Sequence, residues 1–179
     1  MTTNLSTCKK IALAVLVALV FPVYGHAASA LGTARIRLFN THTSKRLDIV
    51  YRVGEVFVPE ALEQLESFLG DHRNGRLQAF DPALFDILTD LAREVGRTGA
   101  EFQVISGYRS PETNEMLGAT RSGIAKHSLH MQARAIDIRL PGTPTARLRD
   151  AAIGMRRGGV GYYKALDFIH VDTGAVRRW

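Results

Sequence analysis

Hydrophobic and polar positions alternate with period two along some stretches of this chain and recur at helical spacing along others. In residues 34–40, Ile36 and Leu38 fall on one face; residues 47–51 alternate likewise, and the polar run 41–45 between them is turn-like. That pattern predicts a β-hairpin. Pro59 stands where a first-turn proline opens a helix over 60–69, with Leu62, Leu65, Phe68 and Leu69 at helical spacing. Asp81-Pro82 begins a second helix over 83–95, whose apolar stripe is Leu84, Ile87, Leu88 and Leu91 and whose stop is Gly96. A short strand follows over 102–106, then a brief helix from Pro111 to about Leu117 and a loop over 119–129. Residues 134–140 read as a strand, and Thr143-Pro144 starts a helix to about Arg157. The glycine cluster 158–161 reads as a turn into Tyr162-Tyr163, residues 168–173 as the last strand, and 174–179 as a tail. Helices and strands mix without regular βαβ alternation, which predicts an α+β fold. With no repeat or low-complexity linker, residues 31–179 are expected to form a single domain.

The first thirty residues stand outside this pattern. Lys9 and Lys10 precede the apolar run 11–20, followed by Pro22 and the small-residue stretch from Gly25 to Ala30. This is the order of regions in a secretory signal peptide, here residues 1–27, with cleavage as late as Ala30 as the alternative. The apolar run is shorter than the ~20 residues a spanning helix needs, so no stable membrane insertion is expected after its removal. The only cysteine, Cys8, precedes the apolar run, where a lipid-modified cysteine would follow it. The chain left after cleavage has no thiol and must rest on its core rather than on disulfides. An exported, periplasmic protein is the expectation. Loss of Lys9 and Lys10 lowers the net charge from +6 to +4. That excess is compatible with an anionic polymer such as bacterial cell wall as partner. The densest basic pairs, Arg156-Arg157 and Arg177-Arg178, lack interleaved aromatics, so nucleic acid is not an expected partner.

The chemistry-bearing residues gather in two places: Ser128-Leu129-His130, with Asp137 seven residues beyond the histidine, and Phe168-Ile169-His170-Val171-Asp172. A histidine near a strand start is, taken alone, an ordinary hydrogen-bonded structural residue. Period two puts Ala135, Asp137 and Arg139 on one strand face, so Asp137 could simply meet water. His170 shares its face with Phe168 and Asp172 by the same rule. Together, two imidazoles and a carboxylate beside separate strands are the ligand set of a catalytic zinc site with an open fourth position.

Those residues resemble the zinc D-Ala-D-Ala carboxypeptidase and dipeptidase superfamily (peptidase family M15), whose fold is shared with the Hedgehog signalling domain. The similarity is closer to the murein endopeptidase K family. It is carried, in order, by Asn40-Thr41-His42-Thr43, Phe80-Asp81-Pro82, Ile105-Ser106-Gly107-Tyr108-Arg109-Ser110, Gly158-Gly159-Val160-Gly161-Tyr162-Tyr163 and Phe168-Ile169-His170-Val171-Asp172-Thr173-Gly174. The resemblance implies a central antiparallel sheet flanked by helices, with the hairpin at its N-terminal side. It implies one Zn2+ on His130, Asp137 and His170, Arg109 on the scissile carbonyl, and Ser128 contacting substrate or orienting His130. It also implies hydrolysis of peptide crosslinks in peptidoglycan, containing meso-diaminopimelate. A glycine three residues after the first ligand is replaced here by Ala133, a change compatible with most backbone conformations.

The general base is left between two acids. Asp172, two residues after His170, could take the water proton or orient an imidazole; Asp167, three residues before, is the rival. His127, His42 and His72 are read as surface histidines. Two alternatives from other classes remain open: a carboxypeptidase releasing terminal D-Ala, and a non-catalytic module that binds zinc or wall.

Overall fold

The computed structural model describes residues 32–120 and 123–179; the expected signal segment, its cleavage sites and Cys8 lie outside the described residues. Strands β1 (Thr33–Asn40) and β2 (Arg46–Val53) form the expected antiparallel hairpin, with Ile36 opposite Ile49 and Leu38 opposite Leu47. A two-residue β3 (Val56–Phe57) extends its outer edge. Helix α1 (Pro59–Leu69) carries Pro59 in its first turn, and α2 (Ala83–Glu94) follows Asp81, whose Oδ1 accepts the Ala83 N–H at 3.1 Å. Gly96, at φ +70°, ends the second helix in the left-handed conformation that glycine adopts without a Cβ clash.

The rest of the chain comprises β4 (Glu101–Ser106), α3 (Pro111–Thr120), β5 (Ala135–Arg139), α4 (Thr145–Met155), β6 (Gly159–Tyr163), β7 (Phe168–Asp172) and β8 (Arg177–Arg178). All eight strands belong to one sheet, in the order β3-β2-β1-β4-β5-β7-β6-β8. Its centre, β4-β5-β7-β6, is antiparallel as expected, while β1 with β4 and β6 with β8 pair in parallel, so the whole is mixed. Helices α1, α2 and α4 pack on the sheet and, with it, bury one continuous core. Its sheet side includes Ile36, Leu38, Phe102, Val104, Ile136, Ile138, Ile169 and Val171, which explains why those positions alternate with polar ones. Among the described residues no helix is long and apolar enough to cross a membrane.

Three segments depart from the expectation. Helix α3 runs to Thr120, three residues further than read. The presumed tail contains β8, and the glycine-rich 158–161 does not form a turn as a whole: β6 already starts at Gly159, with Gly158 alone of these four in the bend before it. The glycines there serve close approach: a Cβ on Gly158 would lie 1.7 Å from the Asp172 carbonyl oxygen, and one on Gly161 2.7 Å from the Trp179 ring. Glycine in a strand marks such contacts as readily as it marks a turn.

Candidate metal centre

Strands β5 and β7 pair so that Asp137 lies directly opposite His170. Both side chains point away from the helical core, as period two requires, but not into water. Asp137 is 4% exposed and His170 7%. Asp137 therefore does not take the solvent-facing alternative. A carboxylate and an imidazole held without water need mutual partners, because an unpaired buried charge would be strongly destabilising.

His130 reaches them from outside the sheet. It lies in a 3-10 turn, Leu129–Gln132, capped by Ser128, whose Oγ accepts the His130 N–H at 3.3 Å. Ser128 thus orients the turn that carries the first imidazole. The turn closes on Ala133, which adopts φ 51°, ψ 38°. Contrary to expectation, this is the left-handed region that an alanine enters only at a cost of roughly 1–2 kcal/mol. The conformation explains why a glycine would suit the position. Two backbone contacts fix the turn against the block that follows β4: Arg109 N–H donates to the His130 carbonyl at 3.2 Å, and His130 Nδ1 bonds the Gly107 carbonyl at 2.8 Å. Gly107 must be glycine, since a Cβ would stand 2.4 Å from the Leu69 carbonyl oxygen.

Three potential ligand atoms converge. His170 Nδ1 is 2.9 Å from Asp137 Oδ1, His130 Nε2 is 3.2 Å from the same oxygen, and the two nitrogens are 3.1 Å apart. The outward ring nitrogens determine the tautomers. Gly107 O can only accept, so His130 Nδ1 carries a hydrogen. Asp172 Oδ2, 3.0 Å from His170 Nε2, places the hydrogen there in the second ring. Each imidazole, when neutral, then turns a lone pair inward, toward a carboxylate oxygen. Three acceptors at this spacing repel one another unless a proton or a cation lies among them.

The spacing suits a cation. A tetrahedral ion with bonds of about 2.0–2.1 Å separates its ligands by about 3.3–3.4 Å, close to the observed triangle. Among the described residues this is the cluster of histidine and carboxylate side chains able to hold a metal. Burial drives the His130 pKa down and keeps that ring neutral. Burial also opposes charge on His170, but hydrogen bonds to Asp137 and Asp172 outweigh it and raise its pKa. The Asp137 carboxyl is held well below the usual range by the two imidazoles, against the desolvation that acts the other way.

Arg109 enters from the rim. Its Nη2 donates to Asp137 Oδ2 at 2.6 Å and its Nε to Ser106 Oγ at 2.9 Å, leaving Oδ1 to face the two histidines. Asp71 anchors the next residue by accepting the Ser110 N–H at 2.9 Å. Neither acid read as general base reaches the centre. Asp172 lies behind His170, on the far side of the ring, and accepts from Gly159 N, Gly174 N, Arg177 and His170. Both of its oxygens are engaged. Burial opposes its charge, but hydrogen bonds from His170, Arg177 and the Gly159 and Gly174 N–H groups outweigh burial and lower its pKa. Asp167 is exposed at the end of a 3-10 turn and is bound to Thr145 and Arg139.

A cleft of about 380 Å³ opens over the three converging side chains, lined also by Ser128, Arg109, His42, His127, Tyr163 and Trp179. His127 is exposed there, as read. His42 stacks on His72 with ring centroids 4.1 Å apart and bonds the Ile105 carbonyl, so it is a wall residue of the cleft as well as a surface histidine. Sequence reading passed over Ser106, Gly107, Arg177 and Trp179. Ser106 and Gly107 were visible as neighbours of Arg109; the glycines at 159, 161 and 174 were the available trace of what packs on them.

Residues 28–179 match the family model described as peptidoglycan L,D-endopeptidase MepK. The chain is 39% identical over 156 residues to the peptidoglycan L,D-endopeptidase MepK of Escherichia coli K12, covering 86% of this chain and 85% of that protein. It is 39% identical over 140 residues to a protein of Haemophilus influenzae named as a probable peptidoglycan L,D-endopeptidase MepK, covering 78% and 75%.

Proposed function

The chain belongs to the peptidoglycan L,D-endopeptidase MepK family, and from that membership we propose that it is a periplasmic, single-zinc endopeptidase that cuts L,D crosslinks of meso-diaminopimelate-containing peptidoglycan. The observation that carries the metal reading is the convergence of His130 Nε2 and His170 Nδ1 on Asp137 Oδ1, at 3.2 and 2.9 Å. His130, Asp137 and His170 would hold the ion. When bound, zinc supplies a Lewis acid and brings the pKa of a coordinated water to roughly 7. The start of the family match at residue 28 fits removal of a signal segment after Ala27 and supports export.

The chain's own residues prepare this centre before substrate arrives. Gly107 O and Asp172 Oδ2 each hold a ring N–H and so keep both ligand lone pairs turned inward. Arg109 secures Asp137 through Oδ2. Its side chain is 12% exposed at the cleft wall, where its charge would stabilise a scissile carbonyl oxygen as that oxygen becomes negative. A donor in that role is typically worth about 3 kcal/mol in the transition state. Ser128 sets the turn of His130 and lines the cleft, where it would also meet the substrate backbone.

The test is digestion of purified sacculi by the protein stripped with chelator and reloaded with zinc, with products read by mass spectrometry. Cleavage of crosslinked dimers to monomers, lost in chelator and restored by zinc, supports the proposal. Release of terminal D-Ala from uncrosslinked stems alone would assign a carboxypeptidase instead. Zinc binding with no cleavage would leave a binding module.

A further inference from the structure

Resting on the reading that His130, Asp137 and His170 hold a divalent ion, we infer that Arg177 is a positioning residue for that centre, acting through Asp172 on His170. Residues 174–179 form a strap along the open edge of the sheet. Its β8 pairs in parallel with β6, Gly159 with Arg177 and Val160 with Arg178, and Trp179 exchanges backbone hydrogen bonds with Val160 and Tyr162. The strap aims one guanidinium inward. Arg177 Nη2 donates to Asp172 Oδ2 at 2.7 Å and Nη1 to Oδ1 at 3.1 Å, a forked pair on a carboxylate whose side chain is fully buried.

The two oxygens of Asp172 differ in what holds them. Oδ1 also accepts the Gly159 and Gly174 N–H groups, at 2.9 and 2.8 Å. Oδ2 is the oxygen that His170 Nε2 uses, and among the described residues its other partner is Arg177. Arg177 therefore sets the position of the one atom that decides which way the His170 proton points. A forked guanidinium does this with geometric specificity that an ammonium lacks.

The surroundings are shaped to admit that contact. A Cβ on Gly159 would fall 2.4 Å from Asp172 Oδ2 and 2.5 Å from Arg177 Nη1, and one on Gly174 would fall 3.1 Å from the same Nη1. Trp179 covers the assembly. Its ring lies 5.0 Å from the Arg177 guanidinium carbon and 5.2 Å from the His170 ring centre, and its Nε1 donates to Tyr163 Oη at 3.1 Å. The indole packs beside both groups, while the Arg177 side chain stays 43% exposed to solvent.

The experiment compares zinc affinity, by competition with a chromophoric chelator, in the wild-type protein, Arg177→Ala, Arg177→Lys and the neighbouring Arg178→Ala. Partners that orient a ligand typically change metal affinity 10–100-fold. Arg177 stands one contact further out, so Arg177→Ala is expected to weaken zinc binding about tenfold. Arg177→Lys, which keeps the charge without the fork, should recover only part, and Arg178→Ala should match wild type. Nitrogen-15 NMR of the zinc-loaded protein should show one His170 tautomer in wild type and lost uniformity in Arg177→Lys, a signature that general destabilisation would not produce. Wild-type protein that binds zinc while folded Arg177→Ala or Arg177→Lys binds it equally well, with an unchanged His170 signal, overturns this inference alone. Wild-type protein that binds no divalent ion overturns the metal reading on which it rests.

Discussion

Asp172→Asn separates two roles that sequence position alone left open. The substitution is nearly isosteric, so its effect comes from replacing an acceptor by a donor. If the amide oxygen stays where Gly159 N and Gly174 N hold Oδ1, the new NH2 group faces His170 Nε2–H and Arg177 Nη2, now 3.0 and 2.7 Å from that position. Two donors would then meet a donor. The least costly escape moves the His170 proton to Nδ1, the atom turned toward Asp137 and the metal position. An orienting role therefore costs metal affinity, by about 10–100-fold or ~1.4–2.8 kcal/mol. Two charge-assisted hydrogen bonds are also lost, discounted because the Arg177 side chain is 43% exposed and can rehydrate. That leaves a destabilisation of about 2–3 kcal/mol, or roughly 5–10 °C in Tm for a domain of this size. Zinc competition, Tm of the metal-free protein and kcat at saturating zinc measure the three effects. Unchanged zinc affinity and Tm with kcat reduced ~10²–10⁴-fold would instead make Asp172 the general base.

Other substitutions and conditions test neighbouring links. Arg109→Ala should lower kcat by about 10²–10³ at saturating zinc, the size of a lost oxyanion donor, and Arg109→Lys should restore part; steady-state kinetics on a crosslinked dimer reads both. In the metal-free protein His170 holds a proton more firmly than a free imidazole. Its stabilising contribution is complete below the unfolded pKa of about 6.5 and fades as pH rises through the raised folded value. Zinc must displace that proton, so affinity should climb with pH across that window, with about one proton released per ion. Calorimetry in buffers of different ionisation enthalpy would show this, and pH-independent binding would contradict it. Gly158→Ala should prevent β6 and β7 from closing, because its methyl would meet the Asp172 carbonyl. Gly154→Ala, in open space within α4, should instead stabilise by about 0.5–1 kcal/mol.

What could be read from the chain follows from which interactions are local. Alternation at Ile36 and Leu38, or at Ile136 and Ile138, reports a single buried face, and the strands appear where that pattern put them. The three converging residues were readable by type and through the family resemblance, since period two already placed Asp137 and His170 on polar faces of their strands. The register that sets them opposite each other was not, because pairing depends on long-range contacts. Asp172 was ambiguous for a related reason. Sharing a strand face with His170 puts it close to the ring without saying which nitrogen it meets. Glycines misled at 158–161, where the reason for them is Asp172 and Trp179, distant in sequence. Alanine at 133 suits most backbone conformations, but the φ of 51° found there comes from the need to turn from His130 into β5.

Whether His130, Asp137 and His170 hold one divalent ion is decided by X-ray absorption at the zinc edge, with metal quantification on the same sample. One zinc per chain is expected, in a shell of nitrogen and oxygen at about 2.0–2.1 Å that includes two imidazoles and is lost in a folded His170→Ala variant. A stoichiometric zinc with no histidine in its shell, or a reconstituted wild-type protein that retains none, would contradict it.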